Sequence, residues 1–87
     1  MKPVQGSPLG AAQRGFRGHI QAIHVGDSSS GLPAEELERR LIELGFVEGA
    51  SVEVLHEGPL GGDPIAVRLN DATIALRRRE AMAILVI

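Results

Sequence analysis

Arg40-Leu41-Ile42-Glu43-Leu44-Gly45-Phe46-Val47-Glu48-Gly49 decides how this chain folds, because it reads as the end of a helix that hands over to strands. Leu37, Leu41 and Leu44 recur at helical spacing, one apolar stripe among Glu36, Glu38, Arg39 and Glu43, as an amphipathic helix requires. Pro33 suits the first turn, where its missing N–H would have had no helical partner. Glu35 and Arg39, and Glu36 and Arg40, stand acid before base one turn apart, pairs that add about 0.2–0.5 kcal/mol each on an exposed face. Gly45 stops the helix, since a left-handed residue after a helix end costs glycine little, and Phe46 can then fold back toward Leu41.

Downstream of Gly49 the period changes from helical to two. Val52 and Val54 alternate with Glu53 and Leu55 up to His56; Gly58-Pro59-Leu60-Gly61-Gly62 breaks the run. Ile65, Val67 and Leu69 then share a face opposite Ala66 and Arg68, and Asn70-Asp71 turns the chain into Thr73, Ile74, Ala75 and Leu76, which predicts a hairpin. A short helical turn at Arg79, Glu80 and Ala81 leads to the apolar end Ala83–Ile87. Such a strand on an open edge would invite aggregation, so a closed sheet is expected. Upstream, Gly15 opens a strand from Phe16 to Val25, with Ile20 and Ala22 on one face and Ile23 and Val25 on the other. Residues 1–8 read as a flexible arm and 9–87 as one domain. The expected architecture is mainly β: a small barrel of about five strands with one helix inserted after the first strand.

The 87 residues are enough for one small core and too few for two. No cysteine is present, which excludes disulfides, thiolate chemistry and Cys-based zinc sites. The N-terminus lacks the apolar stretch of a signal peptide, and no segment approaches the roughly twenty apolar residues of a membrane span. Nine Lys and Arg against eleven Asp and Glu leave a net charge of −2, and Phe16 and Phe46 are the two aromatic residues. Neither bulk attraction to nucleic acid nor a stacking platform for its bases is expected.

Catalytic patterns fail one after another. The glycines at 58, 61 and 62 lead to Asp63-Pro64 in place of the Lys and Ser or Thr of a phosphate loop. His56-Glu57 opens like a zinc-peptidase motif, but Leu60 stands at its second histidine position and Pro59 opposes the helix it needs. Ser28, Ser29 and Ser30 suit turns and caps better than a nucleophile. His19 and His24 are five residues apart and face opposite sides of one regular strand, so they do not chelate one ion. His19, His24, His56 and Glu57 are therefore weak metal candidates, suited to adventitious divalent metal, and no cofactor is expected. Arg77, Arg78 and Arg79 sit at a strand exit, where alternation puts Arg77 and Arg79 outward and Arg78 opposite. With the helix face and Leu60 at a glycine-rich loop tip, these arginines are the partner-binding candidates.

Taken in order, Gly15 and Gly18 before Ile20, Arg40-Leu41 to Gly45-Phe46, Gly49, Gly62-Asp63-Pro64-Ile65, and Leu76-Arg77-Arg78 to Glu80-Ala81 resemble the FeoA family, small cytoplasmic proteins of bacterial ferrous iron transport. The resemblance runs from about Leu9 to Ile87. It implies an SH3-like barrel, and a non-catalytic accessory that contacts the cytoplasmic part of the membrane GTPase permease FeoB. A related SH3-like domain ends some iron-dependent repressors, which makes a small ferrous-sensing regulatory domain the alternative; no residues remain here for the DNA-binding domain that accompanies it there. Residues 1–8 and the stretch Asp27 to Gly31 lie outside the resemblance.

Overall fold

The computed structural model describes residues 6–25 and 33–87. Its strands are β1 (Ser7–Pro8), β2 (Arg17–Ile23), β3 (Ser51–Gly58), β4 (Gly62–Leu69), β5 (Ala72–Leu76) and β6 (Ile84–Val86), with helices α1 (Ala34–Leu44) and α2 (Arg78–Ala81) and a 3-10 turn at Leu9–Ala11. One antiparallel sheet runs β1-β6-β2-β3-β4-β5. The class expected from sequence holds, with the helix between the first long strand and the second.

Three details differ from expectation. The sheet has six strands and does not close, for β1 and β5 stand at its two ends. The apolar C-terminal strand is instead protected by position: β6 lies between β1 and β2, with Ser7 opposite Val86 and Ile84 opposite Ile23. The arm is correspondingly shorter than residues 1–8, because Ser7 and Pro8 form β1; a two-residue Ser-Pro strand has no period by which to be read. Residues 1–5 of that arm, and Ser28, Ser29 and Ser30, lie outside the described residues.

Burial follows the alternation. Val52, Val54, Ile65, Val67 and Leu69 face the core with Ile20, Leu76, Ile84 and Val86, and Leu9 is fully buried with them. In β2 the regular alternation breaks at Gln21, where the register to β6 shifts between Ile20 and Ala22, as an extra residue in one strand requires. The displaced Gln21 side chain is then put to use, accepting the Gly6 N–H at 2.8 Å and holding the approach to β1.

α1 covers the sheet with Leu37 and Leu41. Leu44, the third member of the expected stripe, is 39% exposed at the last helical position. Pro33 sits just before the helix as its cap residue, its carbonyl accepting the Leu37 N–H at 3.0 Å. Gly45 has φ 109° and its N–H bonds back to Ile42, while the Phe46 N–H bonds to the Leu41 carbonyl at 3.0 Å. Phe46 is fully buried, a burial worth about 1.5–3 kcal/mol. The helix therefore ends as the sequence predicts, and its exit residue becomes a central core side chain.

Candidate functional site

The arginine run divides by role. Arg77 and Arg79 are exposed, as strand alternation predicts. Arg78, grouped with them as a docking candidate, is partly buried and its guanidinium is engaged within the fold. Its Nε donates to the Gly62 carbonyl at 2.8 Å, and one terminal nitrogen donates to the carbonyls of Ala12 at 2.7 Å and Gly10 at 3.1 Å. The other terminal nitrogen lies 3.5 Å from Glu57 Oε2. A planar fork with several fixed donors suits this work, because it can bind separate chain segments at once. The Arg78 backbone N–H also donates to Asp63 Oδ1 at 2.9 Å, so a carboxylate from the start of β4 caps the first turn of α2. Gly62-Asp63 and Arg77-Arg78, two blocks distant in sequence, are thus one joint.

Glu80 completes that corner. Its carboxylate accepts the Arg77 N–H at 3.3 Å and pairs with Arg40 of α1 at 3.3 Å. The pairs expected along α1, Glu35 with Arg39 and Glu36 with Arg40, are not formed: among the described residues the ion pairs within 4.0 Å are Arg40–Glu80 and Arg78–Glu57. A semi-buried carboxylate on α2 competes for Arg40 more effectively than a solvated one on its own helix, where long side chains lose entropy for little gain.

The histidines do not converge. His19, opposite Ser51, and His56, opposite Ala66, are both exposed. The β2–β3 register places Ser51, not His56, beside His19, a separation of about 16–17 Å along the strand at ~3.3 Å per residue. His24, also exposed, follows β2 with its N–H on the Ala83 carbonyl at 2.7 Å. Glu57 is engaged, accepting the Arg14 N–H at 2.8 Å besides facing Arg78. Among the described residues no group of three His, Cys, Asp or Glu side chains could hold a metal ion.

What the surface does offer is apolar. Leu60 is 75% exposed at the tip of the β3–β4 turn. Between β2 and α1 lies a shallow groove of about 280 Å³, lined by the apolar Ala22, Ile23, Ile42, Phe46 and Val47 together with Gln21, Glu38 and Glu48. Ile42 and Val47 are 46% and 48% exposed there. The sequence hid this groove, because Ile42 stands off the Leu37–Leu41 stripe and reads as a stray apolar residue on a polar face. Among the described residues no helix is long and apolar enough to cross a membrane.

Comparison with known proteins gives this geometry a setting. The model of the FeoA domain matches residues 7–87. A Porphyromonas gingivalis protein described as a fusion of Fe(2+) transport protein A with the Fe(2+) transporter FeoB is 33% identical over 68 residues, covering 75% of this chain and 8% of that protein. The chain thus spans a small part of that curated relative. The crystal structure of Stenotrophomonas maltophilia FeoA complexed with zinc, described as a prokaryotic SH3 domain protein, superposes with a TM-score of 0.75 at 29% identity, over 92% of this chain and 88% of that one. A manganese-dependent transcriptional repressor shares the fold, with a TM-score of 0.79 at 23% identity over 100% of this chain and 44% of that one. With its domain match running from the first short strand to the last residue, the chain belongs to the FeoA family, whose members take part in ferrous iron transport.

Proposed function

We propose that this protein is a non-catalytic accessory of ferrous iron uptake, and that it acts in the cytoplasm by binding the cytoplasmic portion of a FeoB-like GTPase permease. The observation that carries the reading is the fusion: in the P. gingivalis protein a FeoA part and a FeoB part share one polypeptide, which keeps the two at high effective concentration. The surface supports it, with half-exposed aliphatic side chains at Ile42 and Val47, Leu60 at a loop tip, and Arg77 and Arg79 free to meet carboxylates.

Co-purification with the permease, and ferrous uptake in a strain lacking the native protein, test the reading. Wild-type protein should restore uptake and retain the permease on a column; restored uptake without any association would refute it. Ferrous sensing makes the opposite demand. Anaerobic calorimetry should show no saturable one-to-one ferrous binding tighter than about 10 µM, or ~7 kcal/mol, and replacing His19, His24 and His56 with Gln should leave uptake intact.

A further inference from the structure

The groove between β2 and α1 combines two features that a free surface does not favour. Its floor holds Ile42 and Val47, about half exposed, beside half-buried Ala22 and Ile23. Apolar area left in water on two adjacent elements is stabilised by whatever covers it, at about 25 cal/mol per Å². Its edges carry Glu38 and Glu48, and Glu35 projects one turn before Glu38 on the same side of α1. None of these carboxylates has an ion-pair partner within 4.0 Å among the described residues. Of the two arginines on α1, Arg40 pairs with Glu80, and Arg39 stands beside Glu35, Glu38, Ile42 and Glu43, a single positive charge among three carboxylates.

We propose that this groove is the docking site for a cationic, apolar-anchored segment of the permease's cytoplasmic portion: one or two aliphatic side chains seated over Ile23, Ile42 and Val47, flanked by Lys or Arg facing Glu38 and Glu48. The inference rests on the permease-binding reading above. Charge decides the class of occupant, because even with Arg39 beside Glu38 an acidic segment would meet an excess of carboxylates, whereas a basic one neutralises them and is steered in by the same field. Size decides the mode. At about 280 Å³ and open to solvent, the groove is smaller and shallower than the enclosed pockets that bury small molecules, and suits a side-chain anchor from a larger partner.

The test uses the full chain, isotopically labelled, titrated with the purified cytoplasmic portion of the FeoB-like permease of the same organism. Amide shifts should move at Ile23, Glu38, Ile42, Val47 and Glu48. Ile42→Asp with Val47→Asp, and separately Glu38→Lys with Glu48→Lys, should each weaken binding at least ~10-fold. Wild-type affinity should also fall as salt rises from about 0.05 to 0.5 M, where screening shortens the reach of the rim charges. All four positions are exposed, and thermal melting of each variant checks that the fold survives. Tight binding with shifts elsewhere and unimpaired groove variants would overturn the groove assignment and leave the permease reading standing. Absence of any binding by the wild-type chain would overturn both. Loss of binding in the aspartate variant with full binding in the lysine variant would refute the cationic partner.

Discussion

Replacing Arg78 with methionine keeps most of the side-chain volume and removes every donor. The wild-type guanidinium bonds to the carbonyls of Ala12, Gly62 and Gly10 at 2.7, 2.8 and 3.1 Å, and its side chain is 22% exposed. Hydrogen bonds to a charged group are worth about 1.5–3 kcal/mol each when water is excluded. Three at that value would exceed what the site can supply, because solvent reaches the head group and can rebind some of the freed carbonyls. Discounting to the equivalent of one or two such bonds leaves about 2–4 kcal/mol. A domain of 87 residues has a total stability of about 4–13 kcal/mol at ~0.05–0.15 kcal/mol per residue, so the loss is a large fraction of it. At about 4–8 °C per kcal/mol for a domain of this size, melting should fall by on the order of 10–25 °C. Urea denaturation of Arg78→Met, Arg78→Lys and Arg79→Met provides the comparison. Lysine should recover less than half of the loss, because a single ammonium cannot reproduce the fork that reaches three carbonyls on two separate segments. Arg79→Met should stay within about 0.5 kcal/mol of wild type. Equal midpoints for Arg78→Met and Arg79→Met would refute the claim that Arg78 ties the fold together.

Gly45→Val should destabilise by more than ~1 kcal/mol, since φ is 109° and a β-branched residue resists that conformation; an unchanged melting curve would mean the helix ends differently. Gly10→Ala should cost about 1–3 kcal/mol by overpacking, because its Cβ would overlap the Arg78 carbonyl oxygen and sit 2.8 Å from the Met82 nitrogen. Calorimetry showing the alanine variant as stable as wild type would contradict the close approach of the Leu9–Ala11 turn to α2. A chain starting at Leu9 would bare the outer edge of β6, where Ser7 and Pro8 now pair, and should associate with rising concentration in light scattering; a monodisperse monomer would show that β1 is not what protects that edge.

Much of the fold was legible because its signals are local. The Leu37–Leu41 stripe, Gly45 at the helix end, the alternation of Val52–Val54 and Ile65–Leu69, and the Asn70-Asp71 turn each follow from backbone preference and hydrophobic period within a few residues. Nothing local marks Ser7–Pro8 as a strand, or Gln21 as the residue that breaks β2's register, since both depend on what β6 brings alongside. Arg77, Arg78 and Arg79 show the division most clearly: alternation correctly separated Arg78 from its neighbours, but could not say what lay on its side. Only the meeting of Gly10 and Ala12, Glu57 and Gly62 around one guanidinium decided that. The β2–α1 groove has the same origin, because Ile23, Ile42 and Val47 form a surface only once helix and sheet pack. Family membership was readable in the order of motifs along the chain; which side chains hold the molecule together and which stay exposed was settled by long-range packing, where each contact depends on segments that sequence spacing does not connect.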